Sequence, residues 1–464
     1  MMLPFLQTLC LAAITWSPPQ PITNSVTNGA YSLAYDSGTN QVFAGWTDTD
    51  AGDLPVSSFY TAGADWSAEK DISNQPVVDA ANVPNMYPIL AYHGQLQEMF
   101  ATWSAKGFSR PFYSIYNGTS WSSQSSVSTM FTNTLVNEVY VDALGQLFAV
   151  WGNGPVYYAI YDPITSSWGT TGTISGGSNV ASEISLVYDA SSSQLIAVWS
   201  AGSLMASNIT YSIYLGGSWS SPQAIAGATS SNRPEIGVAY NSATGLAYAA
   251  WNDMTTGYPI YSFYNGTTWS APAFIVQTSQ PIFDVSLVYD PNDMQLIAAW
   301  IDSATKLPQY SVLPDGSSTW SAATPFPGAS PAGWNIRTSE PTGVALVYDP
   351  GLGKVFAGWA DGSTGYPIWT FTGPPVPFFI SGLSGKRLSD QFLLQKELIN
   401  VISWQTNYST ITGYEIYRDG QLIAVLGPSA KSFVDHNQLN RSTIYTVVAN
   451  GPNNSRQSLS VVIN

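Results

Sequence analysis

The sequence predicts an all-β protein: a seven-bladed β-propeller of four-stranded blades, closed by its own N-terminal strand and followed by a smaller β-domain. Three observations lead to this prediction. A Tyr–Trp pair recurs seven times at one spacing, and each repeat contains four short runs of alternating polarity. Only 9% of the residues are charged, whereas 13% are aromatic. This composition suits many short strands joined by tight turns.

The repeat consists of a tryptophan and a tyrosine that precedes it by eleven residues. The tryptophans are Trp46, Trp103, Trp151, Trp199, Trp251, Trp300 and Trp359. The tyrosines, named register tyrosines here, are Tyr35, Tyr92, Tyr140, Tyr188, Tyr240, Tyr289 and Tyr348. A repeat of roughly 50 residues is typical of propeller blades. Since a residue present in every blade most often serves packing, we expect these tryptophans to form the core between blades.

The four runs are clearest in the fourth blade, at 184–188, 194–199, 210–214 and 219–225. Turn signals separate such runs throughout the repeat. Asn117-Gly118 and Asn265-Gly266 are hairpin dipeptides, because Asn and Gly accept the positive φ of a tight turn. Each repeat therefore predicts one four-stranded blade.

A second tryptophan begins the fourth strand of six blades, as Trp66, Trp121, Trp168, Trp219, Trp269 and Trp320. The seventh copy is missing after Trp359, but the N-terminal segment 16–22 carries the same phrase as 219–225. We expect segment 16–22 to complete the last blade, so that residues 16–375 form a closed ring. Closure removes the exposed sheet edges that favour aggregation.

Residues 1–15 resemble a signal peptide. Their apolar stretch, 3–14, is too short to span a bilayer and ends with the small residues Ala12 and Ala13. No basic residue precedes it, so the true start is expected upstream. Cys10 is the only cysteine, which excludes an intrachain disulfide. We expect a protein that is secreted or held at the cell surface or envelope, with no membrane span in the mature chain.

The charge is unevenly divided between the two predicted domains. Residues 16–375 have a net charge of −17, and residues 376–464 have a net charge of +2. An acidic propeller repels phosphate, and the sequence has no basic stripe, so nucleic acid is excluded as a partner.

Residues 376–464 form the second predicted domain, after a Pro374-Pro375 linker. The segments 401–404, 413–420 and 439–447 resemble a fibronectin type III domain. The resemblance implies that Trp404 is the buried tryptophan of strand B and that Tyr445 is the tyrosine-corner residue. Such domains commonly serve as spacers or adhesion modules.

Short phrases within the blades resemble two groups of propellers. Segment 265–269, Asn-Gly-Thr-Thr-Trp, resembles the Asp-box of sialidase-type propellers. The phrase Tyr-x-Tyr-Asn-Gly-x-x-Trp-Ser is similar to fucose-lectin propellers. The Asp-box is a folding element even in sialidases, so these resemblances imply a propeller fold rather than a particular ligand.

Catalytic and metal-binding groups are scarce. The chain has two histidines, His93 and His436, and no His/Cys cluster for zinc. We therefore expect no metal and no cofactor. Paired carboxylates remain possible, since glycosidases need only two acids. The aspartates two residues after the repeated tryptophan, Asp48, Asp253, Asp302 and Asp361, are expected to cap loops.

Three acids occupy one repeat position, five residues before the register tyrosine: Glu183, Glu235 and Asp284. Because they start the innermost strands of successive blades, we expect them to face one side of the channel mouth. The predicted ligand-binding set also contains Tyr87, at the same position in the second blade, and residues of nearby loops, Arg233, Trp334 and Arg337. The alternative is that the acids cap backbone amides or are solvated.

These observations favour an exported, non-catalytic binding protein for a glycan or a cell-surface protein, with the second domain as a spacer or adhesion module. One alternative is a sialidase-type glycoside hydrolase, which would need three converging arginines. The propeller has three, Arg110, Arg233 and Arg337, of which Arg110 precedes a third strand. Another alternative is a scaffold for protein–protein interactions.

Overall fold

The computed structural model describes residues 14–27, 31–51, 54–62, 66–73, 88–104, 110–132, 134, 136–175, 180–203, 206–230, 236–277, 282–333, 343–373, 380–392, 395–406, 413–436, 441–450 and 456–463. They form strands and turns, and none of them belongs to a helix long and apolar enough to cross a bilayer. The chain divides into two compact units. The first is Met1–Phe59 with Trp66–Thr372, and the second is Tyr60–Asp65 with Gly373–Asn464.

The strands of the first unit form successive antiparallel sheets, numbered here in chain order. Strand β1 is Gln20–Pro21. Sheet 1 contains β2 (Ser32–Asp36), β3 (Gln41–Asp48), β4 (Leu54–Thr61) and β5 (Lys70–Asp71). Sheet 2 contains β6 (Ile89–His93), β7 (Glu98–Ser104), β8 (Pro111–Tyr116) and β9 (Ser125–Ser126). Sheet 3 contains β10 (Asn137–Val141), β11 (Gln146–Gly152), β12 (Val156–Asp162), β13 (Ser167–Trp168) and β14 (Gly172–Ser175).

Four further sheets follow in the same order along the chain. Sheet 4 contains β15 (Val180–Asp189), β16 (Gln194–Ser203), β17 (Ala206–Leu215), β18 (Ser218–Trp219) and β19 (Gln223–Ser230). Sheet 5 contains β20 (Gly237–Asn241), β21 (Leu246–Asn252), β22 (Pro259–Tyr264) and β23 (Ala273–Phe274). Sheet 6 contains β24 (Ile282–Asp290), β25 (Gln295–Asp302), β26 (Pro308–Pro314) and β27 (Thr324–Pro325). Sheet 7 contains β28 (Ala345–Asp349), β29 (Lys354–Ala360) and β30 (Pro367–Phe371).

The first strands of the sheets contact one another in a closed cycle. Strand β2 contacts β6, and the contacts continue through β10, β15, β20, β24 and β28 back to β2. Successive antiparallel sheets arranged in this way around a centre are a β-propeller. The repeated tryptophans of the second strands are all buried, with at most 1% of their surface exposed. Their prediction as core residues is confirmed.

The N-terminal segment joins the last sheet. Strand β1 pairs with β30, and Trp16 forms a bridge with Thr372. The Thr370 hydroxyl donates to the Ser17 carbonyl (2.6 Å), and the Phe371 amide donates to Ser17 Oγ (3.1 Å). Sheets 1, 2, 4, 5 and 6 use the same two bonds at their own Trp-Ser phrases. The segment therefore supplies the fourth strand that sheet 7 lacks.

The fourth-strand tryptophans connect neighbouring sheets. Six of the seven pack edge-on against an aromatic ring in the third strand of the preceding sheet, with centroids 5.5 to 5.8 Å apart. The pairs are Trp16–Tyr310, Trp66–Trp369, Trp168–Tyr113, Trp219–Tyr158, Trp269–Tyr211 and Trp320–Tyr261. Edge-to-face pairs of this kind stabilise by about 0.5–1.5 kcal/mol beyond area burial. In sheet 1 the ring position holds Ser57, and Trp121 Nε1 donates to its hydroxyl (2.8 Å).

The turn between the first two strands is left-handed in every sheet. The residue five positions after the register tyrosine has a positive φ in all of them: Asn40, Gln97, Gly145, Ser193, Gly245, Met294 and Gly353. A left-handed conformation costs a non-glycine residue about 1–2 kcal/mol. Glycine at three of these positions avoids that cost.

Aspartates cap the loops between the second and third strands, as predicted. Asp253 Oδ2 accepts from the Thr255 and Thr256 amides, and Asp361 Oδ1 accepts from the Ser363 and Thr364 amides. Asp48 and Asp302 make the corresponding bonds in their sheets. These carboxylates therefore stabilise loops.

The second unit contains two antiparallel sheets. One has the order β31 (Ile380–Phe392), β32 (Gln395–Thr406) and β35 (Ser432–Asp435). The other has the order β34 (Gln421–Leu426), β33 (Gly413–Arg418), β36 (Thr443–Asn450) and β37 (Arg456–Ile463). Trp404 and Tyr414 lie in the core between them, with ring centroids 5.2 Å apart.

A buried hydrogen-bond network centres on Tyr445. Its hydroxyl donates to Asp435 Oδ2 (2.6 Å) and accepts from Asn400 Nδ2 (3.1 Å). Arg418 forms an ion pair with the same carboxylate (3.0 Å). Burial, reinforced by the bond to Asp435, raises the pKa of Tyr445 to about 12. The tyrosine therefore stays a neutral donor and joins β36 to β35.

Replacing the ring-closing tryptophan should destabilise the propeller. Trp16 packs on Tyr310 and Phe326, so Trp16→Ala leaves a cavity, and we expect a loss of about 3–5 kcal/mol in the free energy of unfolding. Denaturant unfolding measures the loss. Leu215→Ala is the control, since that side chain is 55% exposed. Equal midpoints for Trp16→Ala and the native protein would contradict closure by this segment.

Met294→Gly should stabilise the propeller. Met294 has φ 50° and is 60% exposed, so glycine relieves the left-handed strain with little loss of packing. Glycine's extra chain entropy offsets part of the gain, which leaves about 1 kcal/mol at most. Met254 is also exposed but has no positive φ, so Met254→Gly should not stabilise. The expectation fails if thermal unfolding gives both variants the same shift.

Candidate binding site at the end of the central channel

A cavity of about 250 Å³ lies at the centre of the propeller. Every sheet contributes to its wall, through residues in or just before the first strand. The lining residues are Tyr31, Ser32, Leu33, Ile89, Asn137, Ser185, Leu186, Ile236, Gly237, Val238, Ser286, Leu287, Gly343, Val344, Ala345 and Leu346. The cavity is therefore a segment of the central channel.

Serine hydroxyls join the inner strands across this wall. Ser32 Oγ donates to the Pro88 carbonyl and Ser185 Oγ to the Ile236 carbonyl, each at 2.6 Å. Ser286 Oγ donates to the Val344 carbonyl at the same repeat position. Because these hydroxyl protons bond to neighbouring strands, they hold the ring together.

Asp284 lies in a bulge of the innermost strand of sheet 6. Phe283 pairs with Ile301 and Ser286 pairs with Ala299, so Asp284 and Val285 together oppose a single residue. Asp284 is half-buried, with φ 35°. Bulges re-aim side chains and are common beside functional sites, as are residues in left-handed conformations.

The inner strand of sheet 4 is also irregular, and its residues 181–183 oppose a single residue. Its register shifts between Val180 and Ile184, and Glu183 falls within the shift. Gly343, at the same repeat position in sheet 7, lines the central cavity. The backbone positions of Glu183 and Asp284 therefore lie at one end of the channel, where the repeat predicts them.

The other residues of the predicted site, Tyr87, Arg233, Glu235, Trp334 and Arg337, lie outside the described residues. Their assignment stays a prediction. Arg110, the third arginine of the sialidase alternative, is exposed and immediately precedes β8.

An exposed aromatic residue on the same side was missed from the sequence. Phe131 is 49% exposed on the connection from sheet 2 to sheet 3, beside Met130. Hydrogen bonds fix the chain on both sides of Phe131. On its N-terminal side the hydroxyls of Ser128 and Thr171 share a hydrogen bond (2.6 Å), and on its C-terminal side Thr132 Oγ1 donates to the Gly152 carbonyl. The available signal was the apolar pair Met130-Phe131, which is flanked on both sides by Ser, Thr and Asn residues.

A second cavity of about 250 Å³ lies between sheets 3 and 4, near the hairpin turns. Its lining includes Leu144, Tyr214 and Leu215. Leu215 stands where sheets 2 and 5 have Asn117 and Asn265, whose side chains cap the turn. Aligning the repeats in the sequence shows that Leu215 replaces the capping Asn of sheets 2 and 5.

His93 has a structural role in sheet 2. It takes the turn position of Asp36 and accepts the Leu96 amide on Nδ1 (3.3 Å), as Asp36 accepts the Thr39 amide (3.2 Å). This bond assigns the imidazole proton to Nε2. His93 is fully buried, and burial lowers its pKa. It therefore acts as a neutral turn cap.

No group of three or more His, Cys, Asp or Glu side chains in the described part of the chain is placed to hold a metal ion.

No protein-family model and no curated protein matches this chain. Solved structures resemble it at low identity. The polysaccharide lyase Uly1 is 10% identical, covers 77% of this chain and 99% of its own, and has a TM-score of 0.47. A Hadza microbial sialidase is 11% identical, with coverages of 76% and 68% and a TM-score of 0.44. A mutant of the Aleuria aurantia lectin, in complex with α-methyl-L-fucoside, is 16% identical, with coverages of 68% and 100% and a TM-score of 0.40. With TM-scores below 0.5, these likenesses carry no argument about ligand or reaction.

Exchanging His93 for Asn should make the propeller less sensitive to acid. Because burial lowers the folded-state pKa of His93, the unfolded chain binds the proton first as pH falls below about 6.5, and stability is lost. The loss between pH 7.5 and pH 5 is at most about 2 kcal/mol. Asn241 makes the same cap without titrating, so His93→Asn should lose less stability over that interval.

Denaturant unfolding at pH 7.5 and pH 5 tests this, with His436→Asn as the control because that histidine is exposed in the second unit. An identical acid loss in native protein and His93→Asn would contradict the assignment.

Proposed function

We propose that this chain is an exported, non-catalytic binding protein that holds a glycan at the channel end carrying Asp284. The observation that carries the proposal is the bulged, left-handed backbone at Asp284, which lies beside the cavity formed by all the inner strands. Strained backbone persists only where the surrounding fold maintains it, and it concentrates at functional sites.

A hydroxyl-rich ligand suits this channel end. Carboxylates accept hydrogen bonds from two neighbouring hydroxyls at once. Glu183 and Asp284 hold one repeat position in two sheets, so their backbone positions lie at one rim of the channel. Glu235 is proposed to extend the rim from sheet 5, and Trp334 to supply a stacking face with Tyr87. Arg233 and Arg337 are proposed to add donors.

We further propose that the first unit is a seven-bladed propeller and the second a fibronectin type III-like domain serving as spacer or adhesion module. The closed cycle of inner strands and the seven left-handed turns support the blade number. The two sheets packed around Trp404, with Tyr445 bonded at their edge, support the second assignment. The apolar segment 3–14 supports export to the cell surface or medium.

Removing the rim carboxylates should abolish glycan binding without unfolding the ring. We expect the Glu235→Gln, Asp284→Asn double variant to lose at least tenfold in affinity for the glycans that the native protein selects on a glycan array. The matched control is Asp293→Asn, which removes an exposed carboxylate from the hairpin turn at the other end of sheet 6. It should bind like the native protein.

Four outcomes would overturn this function. Equal loss in the control would show a general charge effect, and unchanged binding in the double variant would place the site elsewhere. Turnover of a fluorogenic sialoside would favour the hydrolase, and capture of a protein partner insensitive to free sugars would favour the scaffold.

A further inference from the structure

Glu138 breaks the repeat at the innermost strand of sheet 3. It lies two residues before the register tyrosine Tyr140. The other sheets hold an aliphatic residue there: Leu33, Leu90, Leu186, Val238, Leu287 and Leu346. An acid therefore occupies a position that the fold otherwise fills with an apolar side chain.

The carboxyl group of Glu138 is buried between sheets 2 and 3. The residue is 6% exposed, and neither carboxyl oxygen has a hydrogen-bond partner among the described residues. The backbone amides of Ala91 and Thr102, in sheet 2, face the carboxyl. Burial raises its pKa well above the ordinary value, and those amides offset only part of the effect. An uncompensated carboxylate is costly in such a place, so the group remains neutral instead.

The strands around Glu138 carry no cation in the described part of the chain. Strand β6 carries Tyr92 and His93, β7 carries Glu98, and β11 carries no titratable group. His93 packs against Tyr140 with ring centroids 4.3 Å apart, so two departures from the repeat meet at this seam. Thr102 Oγ1 also crosses the seam and donates to the Val136 carbonyl (3.1 Å).

We propose that Glu138 is a proton-binding switch at the seam between sheets 2 and 3, which holds the ring closed when neutral and loosens it when ionised. The seam would then be tightest in acidic surroundings. The unfolded chain ionises this glutamate above about pH 4.3, whereas the folded chain keeps the proton. Folding takes up a proton, and stability falls as pH rises through that window.

The sign of this dependence separates Glu138 from His93. Glu138 favours unfolding as pH rises, by at most tenfold in the unfolding constant per pH unit for one proton. His93 favours unfolding only as pH falls below about 6.5. Above about pH 7 the difference between the native protein and the Glu138 variants therefore reports on Glu138 without a contribution from His93.

The experiment compares the unfolding constant of the full chain from pH 5 to pH 9 with those of three variants. Glu138→Leu restores the repeat residue, Glu138→Gln keeps the shape without the charge, and Asp293→Asn is the control. We expect the unfolding constant of the native protein and of the control to rise with pH. In both Glu138 variants the unfolding constant should rise less with pH than in the native protein. At pH 8 the unfolding constant of Glu138→Leu should be at least tenfold smaller than that of the native protein.

A second measurement needs only the native protein. Calorimetric unfolding at pH 7 in buffers of different ionisation enthalpy should show net proton release, because Glu138 ionises when the chain unfolds. Hydrogen exchange, corrected for its intrinsic pH dependence, should rise at β6 and β10 first. Parallel pH profiles for native protein and Glu138→Gln, or an unfolding step without proton release, would overturn the proposal.

Discussion

The contact between a fourth-strand tryptophan and the aromatic ring of the preceding sheet is the interaction on which the propeller depends. It recurs at six seams with centroids 5.5 to 5.8 Å apart, and at the remaining seam Trp121 donates to Ser57 instead. Each sheet is too thin to bury both its faces alone, so it is stable only between two neighbours. Trp16 completes this chain of contacts from the other end of the sequence, which makes the ring a single cooperative structure.

A ring held by side-chain contacts leaves its channel ends free to differ. The turns between first and second strands all share one left-handed residue, and the loop-capping aspartates recur. Against this uniform background, Asp284 is left-handed within a strand rather than a turn. The strained backbone of Asp284 lies at the end of the channel where the inner strands start and where the repeat position of Glu183 and Asp284 is found. Rigidity elsewhere maintains that local conformation, which is why the proposed site lies there.

The seam between sheets 2 and 3 departs from the repeat in a different way. His93 replaces a turn aspartate, and Glu138 replaces an aliphatic residue. Both groups are buried, and burial moves their pKa values in opposite directions, because it disfavours the charged form of each. Lowering the pH therefore favours folding through Glu138 and disfavours folding through His93. Because the other seams share similar aromatic contacts, a change in stability at this one seam affects the stability of the whole closed ring.

The sequence by itself determined the inner strands, the buried tryptophans, the capping aspartates and the sheet that segment 16–22 joins. These follow from periodicity, because each repeat must bury the same apolar face against its neighbour. Only the tertiary structure decided what the departures from the repeat do. The left-handed bulge at Asp284 depends on how β24 pairs with β25. The repeat places Glu138 at a position that the other sheets fill with an aliphatic residue. Only the structure shows that its carboxyl is buried, facing the amides of Ala91 and Thr102, which are distant in the chain.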